Sequence, residues 1–234
     1  MTDAVIVQAD VNRPDLRWPF PMDLRQRMIG ATVTTLGRRA KYGLIETNRD
    51  DIMIFHLGMS GRWRIDPDAI EKHDHLLLET GDGRRLVLND PRRFGSVDLV
   101  RREQLDLYKP FVSMGPEPLG NDFDAGYLKA ATRDRKAPIK QLLLDQRIVA
   151  GLGNIYVCEA LYRSRISPKR MAGSISRPRI ETLTTEIRDT LQEAIEAGGS
   201  SLKDYRQTDG ELGYFQHSFR VYDRESHPCP TPGC

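Results

Sequence analysis

Three features of this 234-residue sequence predict an α+β fold. Residues 1 to about 115 break into short apolar runs separated by turn-forming segments, as closely spaced antiparallel strands do. After Leu119 the apolar side chains recur at helical spacing. Between the two regions, Pro110, Pro116 and Pro118 interrupt regular structure over residues 110–119 and mark a boundary. With no long helix between its strands, the first region reads as an antiparallel sandwich or barrel, and the second as a helical domain.

The predicted strands are residues 4–8, 31–36, 42–47, 52–57, 76–79, 86–88 and 97–100. Turns at Thr47-Asn48-Arg49-Asp50 and Gly81-Asp82-Gly83 divide them, and Asp23 to Met28 reads as a short crossing helix. Helices follow at 123–132, 138–145 and 154–163. The longest takes Ser176 as its N-cap, Pro178 in its first turn and Gly198-Gly199 as its stop. Ile180, Leu183, Ile187, Leu191 and Ile195 form its inner face, while Glu181, Glu186, Asp189, Glu193 and Glu196 form an outer face that suits scaffold better than DNA contact.

Composition narrows the setting. A hydrophobic content of 39% supports ordinary cores. No apolar run approaches the roughly 18 residues that span a bilayer, and residues 1–10 lack the pattern of a secretory signal. A cytoplasmic monomer is expected. Three cysteines, two of them at 229 and 234, argue against a disulfide framework.

Function is concentrated in residues 146–157, Gln-Arg-Ile-Val-Ala-Gly-Leu-Gly-Asn-Ile-Tyr-Val. Gly151 and Gly153 can take positive φ, and Asn154 can begin a new helix, giving a helix, a two-turn connection and a helix. Backbone N–H groups at such a start favour an anion. From Lys129 to Arg170 there are ten Lys or Arg against three acidic residues, whereas the whole chain is only +2. So local a positive charge suits a polyanion better than a single phosphate. A Gly-rich loop between solvated helices is the plainer alternative.

Two Gly-bracketed turns add a second theme. His56-Leu57-Gly58-Met59-Ser60-Gly61-Arg62 can push Met59 outward as a wedge between bases, or Met59 can simply fill the core. In Asp90-Pro91-Arg92-Arg93-Phe94-Gly95, the guanidiniums can bond base edges or phosphates while Phe94 fills a gap in the stack. An ordinary turn with a buried Phe is the alternative there. Met59 and Phe94 together would serve an enzyme that extrudes a base from a duplex. Cys229-Pro-Thr-Pro-Gly-Cys234 has the spacing of half a tetrahedral zinc site, and Cys158 reads as a small buried hydrophobe.

Taken in order, Arg38-Arg39-Ala40-Lys41-Tyr42, His56 to Gly61, Lys72-His73-Asp74-His75, Asp90 to Gly95, Gly115-Pro116-Glu117-Pro118-Leu119, Gly151 to Tyr156 and the Cys229 half-finger resemble the formamidopyrimidine-DNA glycosylase family. The resemblance implies an N-terminal β-sandwich over 1–115, a helix-two-turn-helix domain over 116–210 and the start of a zinc finger over 211–234. It implies excision of oxidised purines, chiefly 8-oxoguanine and formamidopyrimidines, from double-stranded DNA, with lyase action at the abasic site. Met59, Arg92 and Phe94 would fill the vacated space, Arg92 facing the orphaned cytosine, with Arg93 beside them. Lys41, His56 and Asn154, with Gly151 and Gly153, would hold phosphates, and Lys140 and Lys203 would read the damaged base. Glu159 resembles a supporting carboxylate near the active centre, or it pairs with Arg163. One structural zinc would use Cys229 and Cys234.

The family's nucleophile is an N-terminal proline followed by glutamate. Its amine attacks the sugar C1′, displaces the base and leaves an iminium that permits elimination of the flanking phosphates. Met1-Thr2-Asp3-Ala4-Val5 instead resembles the middle of the family's first strand region. The expectation is a chain truncated at both ends, inactive as it stands and with apolar surface exposed along an unpaired edge. A DNA-binding module that has lost its chemistry is the competing expectation.

Overall fold

The computed structural model describes residues 1–200, 213–231 and 233. Two compact units meet in sequence at Val112 and Ser113, and the described residues from Tyr214 onward group with the second. No described helix is long and apolar enough to cross a membrane.

The first unit is an antiparallel β-sandwich. Its elements are β1 (Ile6–Val11), α1 (Leu24–Met28), β2 (Val33–Arg39), β3 (Tyr42–Thr47), β4 (Asp51–His56), β5 (Arg62–Ile65), β6 (Asp74–Thr80), β7 (Arg85–Asn89), β8 (Ser96–Arg101) and α2 (Lys109–Val112). One sheet runs β1-β6-β7-β5 and the other β2-β3-β4-β8. Ile45, Met53 and Val97 from one sheet meet Trp63, Leu76, Leu78 and Leu88 from the other in the main core. The outer face of the second sheet is covered too, because Leu44, Ile52 and Ile54 pack beneath Tyr108 and Phe111. This explains why β4 reads as a continuous apolar run instead of an alternating one.

Strand β5 is absent from the sequence reading. Arg62-Trp63-Arg64-Ile65 has only two apolar residues and follows a glycine turn, so it carries little strand signal. Trp63 is nonetheless buried, its ring edge-on to Phe55 at 5.3 Å. Edge strand β1 leaves Val7 47% exposed, with Val5 beside it at 41%.

The second unit holds α3 (Ala125–Thr132), α4 (Ile139–Leu144), α5 (Asn154–Arg163) and α6 (Arg177–Glu196). Asp124 caps α3 by accepting from the Tyr127 N–H at 2.6 Å. Leu143, Val149, Leu152, Val157, Leu161, Ile180, Leu183 and Ile187 share one core. The two-turn connection therefore contributes Val149 and Leu152 to the interior, which fixes its path between α4 and α5. Helix α6 follows its expected bounds, with Ser176 at the N-cap position but making no side-chain cap bond. Ile195 departs from the predicted inner face: it is 61% exposed, and Ala194 lies inside instead. Nor is the acidic face purely outward, because Glu193 makes two 2.7 Å bonds to the guanidinium of Arg163.

Candidate nucleic-acid interface

The wedge residues sit on two loops that cross from one sheet to the other at the same end of the sandwich. The first joins β4 to β5 through residues 57–61, and the second joins β7 to β8 through residues 90–95. Glycines bring the two backbones into contact. Gly58 has φ +64°, and a Cβ there would stand 2.6 Å from the Phe94 carbonyl carbon. A Cβ on Gly95 would stand 2.7 Å from the His56 carbonyl oxygen. No larger residue fits either position without moving main chain.

Asp90 locks this contact from below. Its carboxylate is fully buried and accepts from the Ser60 hydroxyl at 2.6 Å and the Gly95 N–H at 2.8 Å. Its carbonyl accepts from Nε2 of His75 at 3.0 Å. Above the lock, Met59 is 65% and Phe94 47% exposed. Neither is core, which removes both the core-filler and the buried-Phe alternatives. The Arg92 guanidinium lies 4.7 Å from the Phe94 ring centroid. Arg93 takes φ +56° and turns to the Asp15 carboxylate at 3.5 Å, away from that pair.

Beside the loops lies a group of bases. The two-residue turn Ala40-Lys41 links β2 to β3, with Ala40 at φ +53°, and so places Lys41 at a hairpin tip. His56 is opposite Tyr42 in register, with ring centroids 4.8 Å apart. Burial lowers the His56 pKa, and the charges of Lys41 and Arg17 lower it further. Burial also lowers that of Lys41. Arg17 is the member that sequence reasoning passed over. Its N–H bonds the Gly95 carbonyl at 3.0 Å, which ties its segment to the wedge loops. Only the fold brings it near, since residues 12–22 carry no periodic signal.

In the second unit, Gln146 holds the two-turn connection. Its Oε1 accepts from the Gly151 N–H at 2.8 Å, and its Nε2 donates to the carbonyls of Leu144 and Leu152 at 3.2 and 2.9 Å. Gly151 takes φ +85° as expected. Gly153 does not: it is extended at φ −125° and is itself the N-cap of α5, so Asn154 is the first helical residue. The exposed Asn154 accepts from the Cys158 thiol at 3.7 Å, and Cys158 is half-buried instead of buried. Lys140 is half-buried in α4, and Lys203 lies outside the described residues.

Glu159 is fully buried and, among the described residues, pairs with no arginine side chain. It accepts the backbone N–H groups of Arg220, Val221 and Tyr222 at 2.9, 3.0 and 2.9 Å. The expected partner Arg163 is taken by Glu193, which raises the arginine's pKa. Cys229 is exposed and Cys234 lies outside the described residues. Among the described residues no three His, Cys, Asp or Glu side chains converge as metal donors, so these residues do not by themselves make a zinc site.

Residues 1–97 match the formamidopyrimidine-DNA glycosylase N-terminal domain, and residues 114–206 match that enzyme's H2TH domain. The formamidopyrimidine-DNA glycosylase of Rhizorhabdus wittichii is 63% identical over 224 residues, covering 96% of this chain and 83% of that protein. The chain belongs to the formamidopyrimidine-DNA glycosylase family. Its counterpart in Novosphingobium aromaticivorans is 60% identical, over 98% of this chain and 85% of that protein. Among solved structures, the Lactococcus lactis family member in complex with DNA containing an abasic site superposes with a TM-score of 0.92 at 33% identity. It covers 100% of this chain and 86% of that one. The same enzyme bound to DNA containing N7-benzyl-Fapy-dG gives 0.91 over the same shares. Helices α4 and α5 and the connection between them lie within the residues that match the H2TH domain.

Proposed function

We propose that this chain acts in base-excision repair of double-stranded DNA, as a bifunctional glycosylase and abasic-site lyase directed at oxidised purines. The observation that carries the reading is the pair of loops joined at Gly58 and Gly95, which present Met59, Phe94 and Arg92 to solvent above a buried Asp90 lock. Exposed apolar tips on rigid backbone suit insertion into a stack whose base has been extruded. Arg92, steadied over Phe94, can bond the edge of the orphaned base. Lys41, His56 and Arg17 supply phosphate contacts from the sandwich. The first turn of α5 at Asn154, shaped by Gly151 and Gly153, supplies another. Arg93, bonded to Asp15, braces the loop. Lys140 and Lys203 are proposed readers of the damaged base, and Cys229 and Cys234 are proposed as two donors of one structural zinc.

These roles concern binding and orientation. No amine of residues 1–234 is assigned the nucleophile's role, because Met1 to Val5 resemble the family's first strand region and not its Pro-Glu start. The deciding experiment is borohydride trapping on a duplex with one 8-oxoguanine opposite cytosine, with binding followed in parallel. It compares this chain with the same chain carrying a family-type Pro-Glu leading segment. Binding by both, with an adduct and strand cleavage only after the addition, is the expected result. A Pro-Glu form that binds the lesion yet never cleaves would leave the non-enzymatic binding module as the better reading.

A further inference from the structure

We propose that His56 is a positioning residue for the wedge, acting through the Gly58 amide in addition to any phosphate contact. The inference rests on the reading of Met59 and Phe94 as the wedge. Gly58 donates its N–H to Nδ1 of His56 at 2.9 Å. An amide nitrogen can only donate, so Nδ1 carries the lone pair and the ring proton sits on Nε2. The bond therefore exists only for the neutral ring in that tautomer. A protonated ring would turn an N–H toward Gly58 and break it.

Gly58 is the point from which both tips are controlled. It precedes Met59 in the chain, and its α-carbon presses on the Phe94 backbone, leaving no room for a Cβ. Fixing one N–H thus fixes the approach to Met59 and the seat of Phe94 together. The ring that does the fixing is itself held. Strand β4 pairs His56 with Tyr42 on one side and Ser96 on the other, and the Tyr42 ring lies against it. The charged groups around the ring are Lys41 and Arg17, with Asp90 on the facing loop beneath Gly95. The two cations, together with burial, keep the imidazole neutral and so preserve its acceptor. One ring has two jobs: Nδ1 shapes the wedge loop, and Nε2–H is left for a phosphate.

Two substitutions separate those jobs. Asn places its Oδ1 where the ring has Nδ1, so His56→Asn keeps the acceptor for Gly58 and loses the distal donor. Gln places its Nε2 near the ring's own Nε2, so His56→Gln keeps a distal donor and loses the acceptor. In the free chain, amide exchange at Gly58 followed by NMR is expected to be about tenfold faster in His56→Gln, the loss of one net hydrogen bond, and near wild type in His56→Asn. On a duplex carrying a stable abasic-site analogue beside 2-aminopurine, His56→Gln should lose the fluorescence change that reports a refilled stack, as Met59→Ala does. His56→Asn should retain that change while binding more weakly, with the salt dependence nearly unchanged because a neutral ring releases no counterion.

Unchanged Gly58 exchange in His56→Gln overturns the proposal, as does a His56→Gln variant that keeps the stacking signal lost in Met59→Ala. If Met59→Ala keeps the signal, the wedge reading fails on its own, and the Gly58 exchange still decides whether His56 holds the turn. Should His56→Gln not fold, the wild-type chain carries the test: after correction for intrinsic rates, Gly58 exchange should accelerate as the ring is protonated, and His56→Asn should lack that acceleration.

Discussion

The wedge loops of the first unit and the two-turn connection of the second solve the same problem by different means. Each is an irregular segment that must keep one shape, and in each one polar side chain bonds the segment at more than one point, Asp90 in one and Gln146 in the other. The wedge loops then present side chains, with Met59 and Phe94 held outward above tightly opposed backbone. The connection buries its side chains, Val149 and Leu152, and presents the start of a helix. Side-chain identity at the tips should therefore matter for recognition by the sandwich and little for its folding. In the helical unit, what matters is whether the main chain keeps its course.

The largest effect that tests this contrast is Asp90→Ala. It leaves the Ser60 hydroxyl and Gly95 N–H without their acceptor in a dry site, a loss of about 2–4 kcal/mol in urea unfolding. Met59→Ala, at an exposed tip on the same pair of loops, should change stability by no more than about 0.5 kcal/mol. If the two variants unfold alike, Asp90 is not what holds the loops. Gln146→Ala should fall between them at about 1–2 kcal/mol, because the Gly151 amide can find water at the edge of the connection. Its effect on DNA binding should equal or exceed that of replacing any single exposed side chain of the two turns.

A smaller effect separates the cations. Arg17→Ala should flatten the slope of log affinity against log salt by about one unit, the signature of one lost phosphate contact, and should weaken binding to intact and lesion duplexes alike. Arg93→Ala should leave the slope nearly unchanged, since its guanidinium already faces Asp15. Equal slopes for the two variants would remove Arg17 from the phosphate contacts.

Much of this arrangement was legible in the sequence, and what was missed shares a cause. Strong periodicity placed α5 and α6 almost to the residue, and the glycine-bracketed turns offered Met59 and Phe94 as tips while leaving a core role open for each, which their exposure decides. Arg17 carried no such mark, because its importance comes from a backbone bond to Gly95, far along the chain. The alternative pairing of Glu159 with Arg163 failed because helical spacing suggests partners at i+4, whereas the carboxylate's partners are main-chain amides more than sixty residues on. Gly153 was misread because a glycine before a helix can serve equally well as an extended N-cap. Local signals reported local geometry, and the long-range polar bonds left no trace in spacing.

The subtlest test of the contrast is titration. In the first unit burial, reinforced by Lys41 and Arg17, lowers the His56 pKa below that of the unfolded chain. Between those two pKa values the unfolded chain binds more protons, so acidification below about pH 6.5 draws the equilibrium toward unfolding. In the second unit Asp145 is lowered chiefly by its bond to Arg147, and Glu193 by its bond to Arg163. Both carboxylates add stability that is present above the ordinary carboxylate pKa, near 4, and is lost only as pH falls through the lowered values. The sandwich should therefore begin to soften on acidification about two pH units before the helical unit does. Hydrogen exchange resolved by unit from pH 7.5 down to about 2.5, through the carboxylate range, reads this directly. In His56→Asn the early loss should vanish from the sandwich while the later one in the helical unit stays, and an early loss that persists in the variant would assign that titration to a group other than His56.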